Sequence, residues 1–228
     1  MSLYLLIFLL LASGALLEWF LPQHEQKIYL VCWSAVTACL CFRYGQGVDY
    51  VTYHGLYETI PVAVDLSKGY ICGFYPEVGW RLLSAAFKLF HVPFWIFAMV
   101  LGLAEMLLVH RFLKKYVPAK TAGLFLFYPV MFLTYMVSGL RQGLAMCLFL
   151  GLVLPFYVKK KWVSYVVGVL IAASFHKVGF AWLLLPVVCY LPMKLMAAAV
   201  GGAALAGLCF RIAAVQDFLL TRFPSYHL

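Results

Sequence analysis

Long apolar runs alternate with short polar connections along almost the whole chain. The apolar stretches lie at 3–20, 27–42, 92–110, 121–137, 142–157, 162–175, 178–191 and 195–216. A bilayer core calls for roughly 17–25 mainly apolar residues per crossing helix. Backbone N–H and C=O groups find no partners in hydrocarbon, so each crossing segment must bond within itself as a helix. No segment shows the two-residue alternation of a barrel strand. The pattern predicts an all-α, polytopic integral membrane protein with about eight transmembrane helices.

Two of these segments, 162–175 and 178–191, are short for a crossing at roughly 14 residues each. Snorkelling lysines and a thin or water-filled vestibule accommodate them. One tilted helix over 162–191 is the rival; it buries His176 and reverses the side of the C-terminus. We take the two-segment reading. The one substantial connection is an outer loop over 43–91. Within it Val78, Leu82, Leu83, Ala86 and Leu89 or Phe90 recur at helical spacing, while Arg81, Ser84 and Lys88 fall on another face. That suits an amphipathic helix lying in the membrane interface. No Gly/Ser-rich linker or short repeat interrupts residues 1–228, so the chain reads as a single integral membrane domain.

Composition agrees: 66% of residues are hydrophobic and 11% charged, with a mean hydropathy of +0.97. The net charge of +9 would suggest nucleic acid in a soluble protein. Its distribution points to a membrane surface instead, with no nucleic-acid partner. Nine of the 17 Lys/Arg are Lys27, Arg111, Lys114, Lys115, Lys120, Lys159, Lys160, Lys161 and Lys194, all in four alternate connections. The positive-inside rule makes that side cytoplasmic and turns both termini outward. The seven cysteines show no CxxC pair and six lie within apolar spans, which argues against a disulfide framework or a zinc site. The apolar N-terminus has no basic leader and reads as a retained first helix.

The same topology carries Arg43, Asp49, Glu77, Arg81, Arg141 and His176 to the outer face. Four clusters hold candidate chemistry. Arg43 begins a stretch through Gly45, Gly47, Asp49, Tyr50 and Tyr53, in which the glycines permit a tight turn and a carboxylate stands beside two phenols. A snorkelling arginine followed by an ordinary turn is the plain alternative. Glu77, Trp80 and Arg81 follow, where Glu77 also suits the N-terminus of the interfacial helix. Arg141 and Gln142 occupy a tight turn between two apolar spans; arginine matches phosphate in bidentate fashion. His176 stands at a hairpin tip and titrates near neutrality, as a general base does. Arg211, near the outer end of the last span, extends the cationic surface. Glu105 falls in the cytoplasmic half of its helix, where pairing or snorkelling is expected. HExxH, Walker and GxSxG motifs and carboxylate-rich metal nests are missing, against metalloprotease, NTPase and serine-hydrolase readings.

On these residues the chain resembles the EpsG-like family of exopolysaccharide polymerases, related in function to Wzy-type polymerases. The matching elements are Arg43-x-Gly45-x-Gly47-x-Asp49-Tyr50-x-x-Tyr53, Glu77-x-Gly79-Trp80, Arg141-Gln142-x-x-Ala145 and Phe175-His176-Lys177. The resemblance runs over roughly 25–228. Val178 departs from it, standing where similar sequences often carry serine. The chain also stops where such proteins usually continue through further helices, so it reads as a shortened member.

The resemblance implies a glycosyltransferase-type polymerase of capsular or other extracellular polysaccharide in the bacterial cytoplasmic (inner) membrane. It would join undecaprenyl-diphosphate-linked oligosaccharides at the extracytoplasmic face, beside a flippase and a chain-length regulator. Neither metal nor cofactor is expected: fixed cations stabilise the departing diphosphate. Arg43, Arg81, Arg141, Gln142 and Arg211 are assigned to the diphosphate. His176, Asp49 or Glu77 takes the acceptor proton, and Tyr50, Tyr53 and Trp80 stack on sugar rings. A flippase of lipid-linked oligosaccharide and a membrane sugar O-acyltransferase using His176 are the alternatives.

Overall fold

The computed structural model describes residues 3–59 and 77–209, whose regular elements are all helices, with no strand. The helices are α1 (Leu3–Phe20), α2 (Glu25–Cys41), α3 (Tyr50–Thr59), α4 (Val78–Leu89) and α5 (Phe94–Tyr116). Then α6 (Lys120–Phe127) runs on as a π-helix over Tyr128–Ser138, and α7 (Leu140–Leu148) continues through a second π-helix, Phe149–Val153, into α8 (Leu154–Val158). Pro129 starts the first π segment and Pro155 follows the second. Proline has no N–H and crowds the carbonyl four residues back, so the ladder widens locally. Next come α9 (Trp162–Ala173) and a 3₁₀ helix over Lys177–Leu184, then α10 (Leu185–Tyr190) and α11 (Met193–Cys209). The chain forms two compact units, which divide between Leu183 and Leu184.

Among the described residues four helices are long and apolar enough to cross a membrane: Leu3–Phe20, Phe94–Tyr116, Lys120–Ser138 and Leu140–Val158. The stretches Trp162–Ala173 and Lys177–Tyr190 are apolar but shorter. The first expected span coincides with α1. At 162–191 the chain turns back at Ser174–His176. Gly179 packs on Ala173, and the Tyr165 hydroxyl donates to the Trp182 carbonyl. A single helix over this stretch is thereby excluded.

The first unit is a bundle of neighbours running up and down. Tyr128 Oη donates to the Tyr4 carbonyl and Phe125 meets Phe8, so α1 and the α6 rod are antiparallel. Tyr29 bonds His110 and Trp33 donates to the Met106 carbonyl, while Gly102 abuts Leu40, so α2 runs against α5. Gly151 lies on Leu108 while Leu140 and Leu144 cluster with Ala98 and Leu101, so α5 and the α7 rod are parallel. Glycines at such crossings let backbones approach, which matters where lipid removes the hydrophobic drive between helices. Leu11, Val36, Leu40, Met106, Val109, Phe132 and Met136 fill the core.

One end of this bundle collects the lysine-rich connections; the other collects the candidate chemistry. At the lysine end Lys120 pairs with Glu25 at 3.3 Å. Beside it buried Glu18 accepts from the Thr121 N–H (3.1 Å to each oxygen) and the Ala122 N–H (3.1 Å). The first N–H groups of any helix lack internal partners, and Ala119 supplies no cap to α6. Glu18 is that cap, delivered from 103 residues away. Glu18→Ala is expected to cost about 1–3 kcal/mol, seen as a lower unfolding temperature in detergent.

The amphipathic helix forms as α4, with its faces assigned in an unexpected way. Trp80, Ser84 and Ala85 are buried, and Arg81 and Lys88 are half-buried on the protein side. Val78, Leu82, Ala86 and Leu89 are exposed. The polar stripe faces the bundle and the apolar stripe faces out.

Candidate functional site

Two glycines shape the entry to the site. Past α2 the chain turns with Gly45 at φ 67° and Gly47 at φ 92°, values that residues with a Cβ rarely adopt. A Cβ on Gly47 would lie 2.6 Å from the Val137 carbonyl oxygen, so the turn rests directly on the residues leading to Arg141.

Arg141 occupies the first turn of α7, where a cation opposes the helix dipole. Its compensation is Glu77: Nη1 meets Oε2 at 2.5 Å, with the side chains 17% and 6% exposed. Glu77 is the N-cap residue of α4, yet its side chain makes no cap bond; the carboxylate goes to Arg141 instead. Arg141 Nε also donates to Tyr53 Oη at 3.4 Å, and the guanidinium lies 5.8 Å from the centre of that ring.

Backbone contact brings the histidine to the pair. The Gly79 N–H donates to the Ser174 carbonyl at 2.8 Å, docking the start of α4 on the turn that carries His176. His176 is half-buried, and its Nδ1 accepts the Val178 N–H at 3.3 Å. Burial first, then the charge of Arg141, holds its imidazole below the ordinary 6.5; Glu77 pulls the other way and Lys177 adds to the lowering. The unfolded chain takes up this proton near 6.5, the folded chain only at lower pH. Stability is therefore full above about pH 6.5 and falls as the pH drops through the lowered folded value. His176→Gln is expected to flatten that acid loss in unfolding temperatures measured between about pH 6.5 and 5.

The remaining assigned residues divide. Gln142 is half-buried, and its amide makes no hydrogen bond among the described residues. Arg81 lies one turn after Glu77, with its Nε buried and likewise unbonded. Asp49 is exposed just before α3, and no ion pair joins it to Arg141 among the described residues. Arg211 lies outside the described residues.

Four of the assigned side chains lie in the interior of the bundle. Arg43, assigned to the diphosphate, is 2% exposed, donating to the Met136 carbonyl and, at 3.4 Å, to the Ala98 carbonyl. The last carbonyls of a helix lack internal partners and favour a cation. Arg43 satisfies one near the end of the π segment, just ahead of Arg141. Tyr50, Tyr53 and Trp80, assigned to sugar rings, are buried: α3 turns the two tyrosines inward, and α4 turns the tryptophan. Tyr50 meets Phe94 at 5.1 Å, Tyr53 meets Trp80 at 5.7 Å and Trp80 meets Phe97 at 5.5 Å.

Glu105 neither pairs nor snorkels. It is 0% exposed in the middle of α5, and both carboxyl oxygens lack a hydrogen bond among the described residues. The docking of Gly79 on Ser174 was not legible in the sequence either, although Gly79 belongs to the Glu77-x-Gly79-Trp80 motif. Among the described residues no three His, Cys, Asp or Glu side chains gather as a metal site.

The arrangement is a guanidinium at a helix N-terminus that no side chain caps, flanked by a carboxylate and an imidazole. Such a terminus offers unpaired N–H groups and a positive dipole end, and so suits an anion. A family model for EpsG matches residues 27–227. The chain belongs to the EpsG family. EpsG proteins are exopolysaccharide polymerases of the Wzy type, and this EpsG chain, with its four long apolar helices, is a membrane protein. No curated protein and no solved structure matches it.

Proposed function

We propose that this EpsG protein polymerises extracellular polysaccharide at the outer face of the bacterial cytoplasmic membrane. It transfers a growing glycan from undecaprenyl diphosphate onto a lipid-linked repeat unit, within a membrane that its roughly eight helices cross. An acceptor hydroxyl attacks the anomeric carbon, and the polyprenyl diphosphate departs with the bonding electrons. Charge grows on the leaving oxygen, so cations and N–H donors fixed beside it lower the barrier.

The observation that carries this reading is the Arg141–Glu77 pair at the N-terminus of α7, with His176 alongside. Arg141 and the first-turn N–H groups hold the diphosphate, with Gln142 and Arg81 as further donors. Arg43 supports them indirectly through the Met136 carbonyl. The lysine-rich end of the bundle then faces the cytoplasm.

The test is purified protein in proteoliposomes supplied with undecaprenyl-diphosphate-linked repeat units. A ladder of glycans is expected, with one polyprenyl diphosphate freed per bond formed. Passage of the substrate to the opposite leaflet without elongation would identify a flippase. Transfer of a labelled acyl group without a new glycosidic bond would identify an acyltransferase.

A further inference from the structure

Three groups compete for the role of proton acceptor, and their surroundings differ. Asp49 is exposed at the start of α3, outside the contacts that tie Glu77, Arg141 and the His176 turn together. His176 accepts the Val178 N–H on Nδ1. A neutral imidazole has one N–H and one lone pair, so Nε2 carries the hydrogen. The open nitrogen of His176 is therefore a donor, suited to a phosphate oxygen and not to removing a proton.

Glu77 is left, and it is not free: Arg141 holds its carboxylate at 2.5 Å in a largely buried setting. A carboxylate so engaged is a poor base. It also occupies the place on Arg141 that an anionic ligand would take, since carboxylate and phosphate bind guanidinium by the same fork geometry. Glu77 has little freedom to follow Arg141 elsewhere, because the Gly79 N–H anchors its backbone to Ser174.

We infer that Glu77 is the catalytic base and that Arg141 keeps it idle until substrate arrives. The inference rests on the diphosphate reading above. The diphosphate carries more charge than a carboxylate, and it takes Arg141 from Glu77. The released carboxylate then stands beside a like charge, and that repulsion drives proton uptake. In the step itself the acceptor oxygen forms a bond to the anomeric carbon. The bond from that carbon to the diphosphate oxygen breaks, with its electron pair leaving on the diphosphate. The acceptor proton passes to Glu77 and from there to water. His176 donates from Nε2 to the departing group. Binding and base activation are thus one event, and the base stays masked in the empty site.

The experiment compares wild type, Glu77→Gln, Glu77→Asp and Arg141→Lys in proteoliposomes. Binding of undecaprenyl diphosphate and the elongation rate are both measured against pH. Glu77→Gln removes the competing charge but keeps the shape. It should bind undecaprenyl diphosphate several-fold more tightly while its elongation falls by about 10²–10⁴-fold, the usual contribution of a positioned base. Its acid limb in the pH–rate profile should vanish. Glu77→Asp should bind as wild type and retain that limb at a reduced rate. Arg141→Lys should weaken binding.

Wild-type elongation with a Glu77→Gln rate within a few-fold of it would overturn the inference. So would a slow Glu77→Gln variant that binds more weakly than wild type, which would mark the pair as structural. Failure of wild type itself to elongate would instead strike the polymerase reading.

Discussion

Arg141→Lys is expected to reduce elongation by about 10²–10³-fold, the range seen when one donor to developing negative charge is lost. Lysine keeps the charge but not the planar fork, which spans Glu77 Oε2 and Tyr53 Oη in the resting site. Lysine is the informative replacement. Alanine would leave Glu77, 6% exposed, as an unpaired buried charge, and breaking a buried pair costs roughly 3–5 kcal/mol. A loss of activity in that variant would mix catalysis with folding. Arg141→Lys should keep its unfolding temperature close to wild type. Wild-type chain lengths from Arg141→Lys would remove this arginine from the site.

The second large effect comes from a residue with no side chain. A Cβ on Gly79 would stand 2.9 Å from the Ser174 carbonyl oxygen and close against Ser174 Oγ. The hydroxyl can rotate away, but the carbonyl belongs to the backbone and cannot. Gly79→Ala must therefore part α4 from the His176 turn and lose the 2.8 Å Gly79–Ser174 hydrogen bond. Elongation should fall at least about 10-fold in Gly79→Ala, and by about 10² or more in Gly79→Val. The scale follows from misplacing a positioned group by about 1 Å. The stability cost should stay near 1–3 kcal/mol, as for overpacking elsewhere. Ser174→Gly combined with Gly79→Ala should not restore activity, because the obstructing carbonyl remains. Recovery in the double variant would show that Oγ alone caused the clash.

These two residues illustrate how the site was and was not readable. Arg141 is conspicuous in the sequence because a cation in a tight apolar turn is costly without a purpose. Its partner was already a candidate, but Glu77 looked like a helix cap, and only the docking of α4 on Ser174 turns the carboxylate to Arg141. Arg43 looked equivalent to Arg141, since both follow apolar spans at the same end. The difference lies in what faces each. Arg43 finds the orphan carbonyl of Met136, 93 residues on, and becomes part of the support. Aromatic residues carry no sign of which face is open. Tyr50, Tyr53 and Tyr57 recur along α3 at helical spacing, and that stripe is buried against α5 and α4.

Glu105 shows the same limit from the other direction. Its position within α5 was plain, but a carboxyl without hydrogen bonds at the core of the bundle follows from what surrounds it on neighbouring helices. Glu18 was silent in sequence, because a cap is ordinarily sought within four residues of a helix start. Here it arrives from another helix. The amphipathic period of α4 was visible, yet period alone does not say whether the polar stripe meets water or protein. Trp80 and Ser84 settle that by packing inward.

By itself the sequence determined the long apolar helical segments and the gathering of unusual polar residues at one end, and it favoured a turn near 176 over one tilted helix. Those are local properties: hydropathy and periodicity act over one or two turns, and alternation of direction follows from short connections. Tertiary structure alone decided which cation is walled in, which carboxylate is paired, and which nitrogen of His176 is bonded. Such outcomes depend on groups brought together across 64 residues for Arg141 and Glu77 and 93 for Arg43 and Met136. A charge is defined by its neighbours, and those neighbours exist only once the helices have packed.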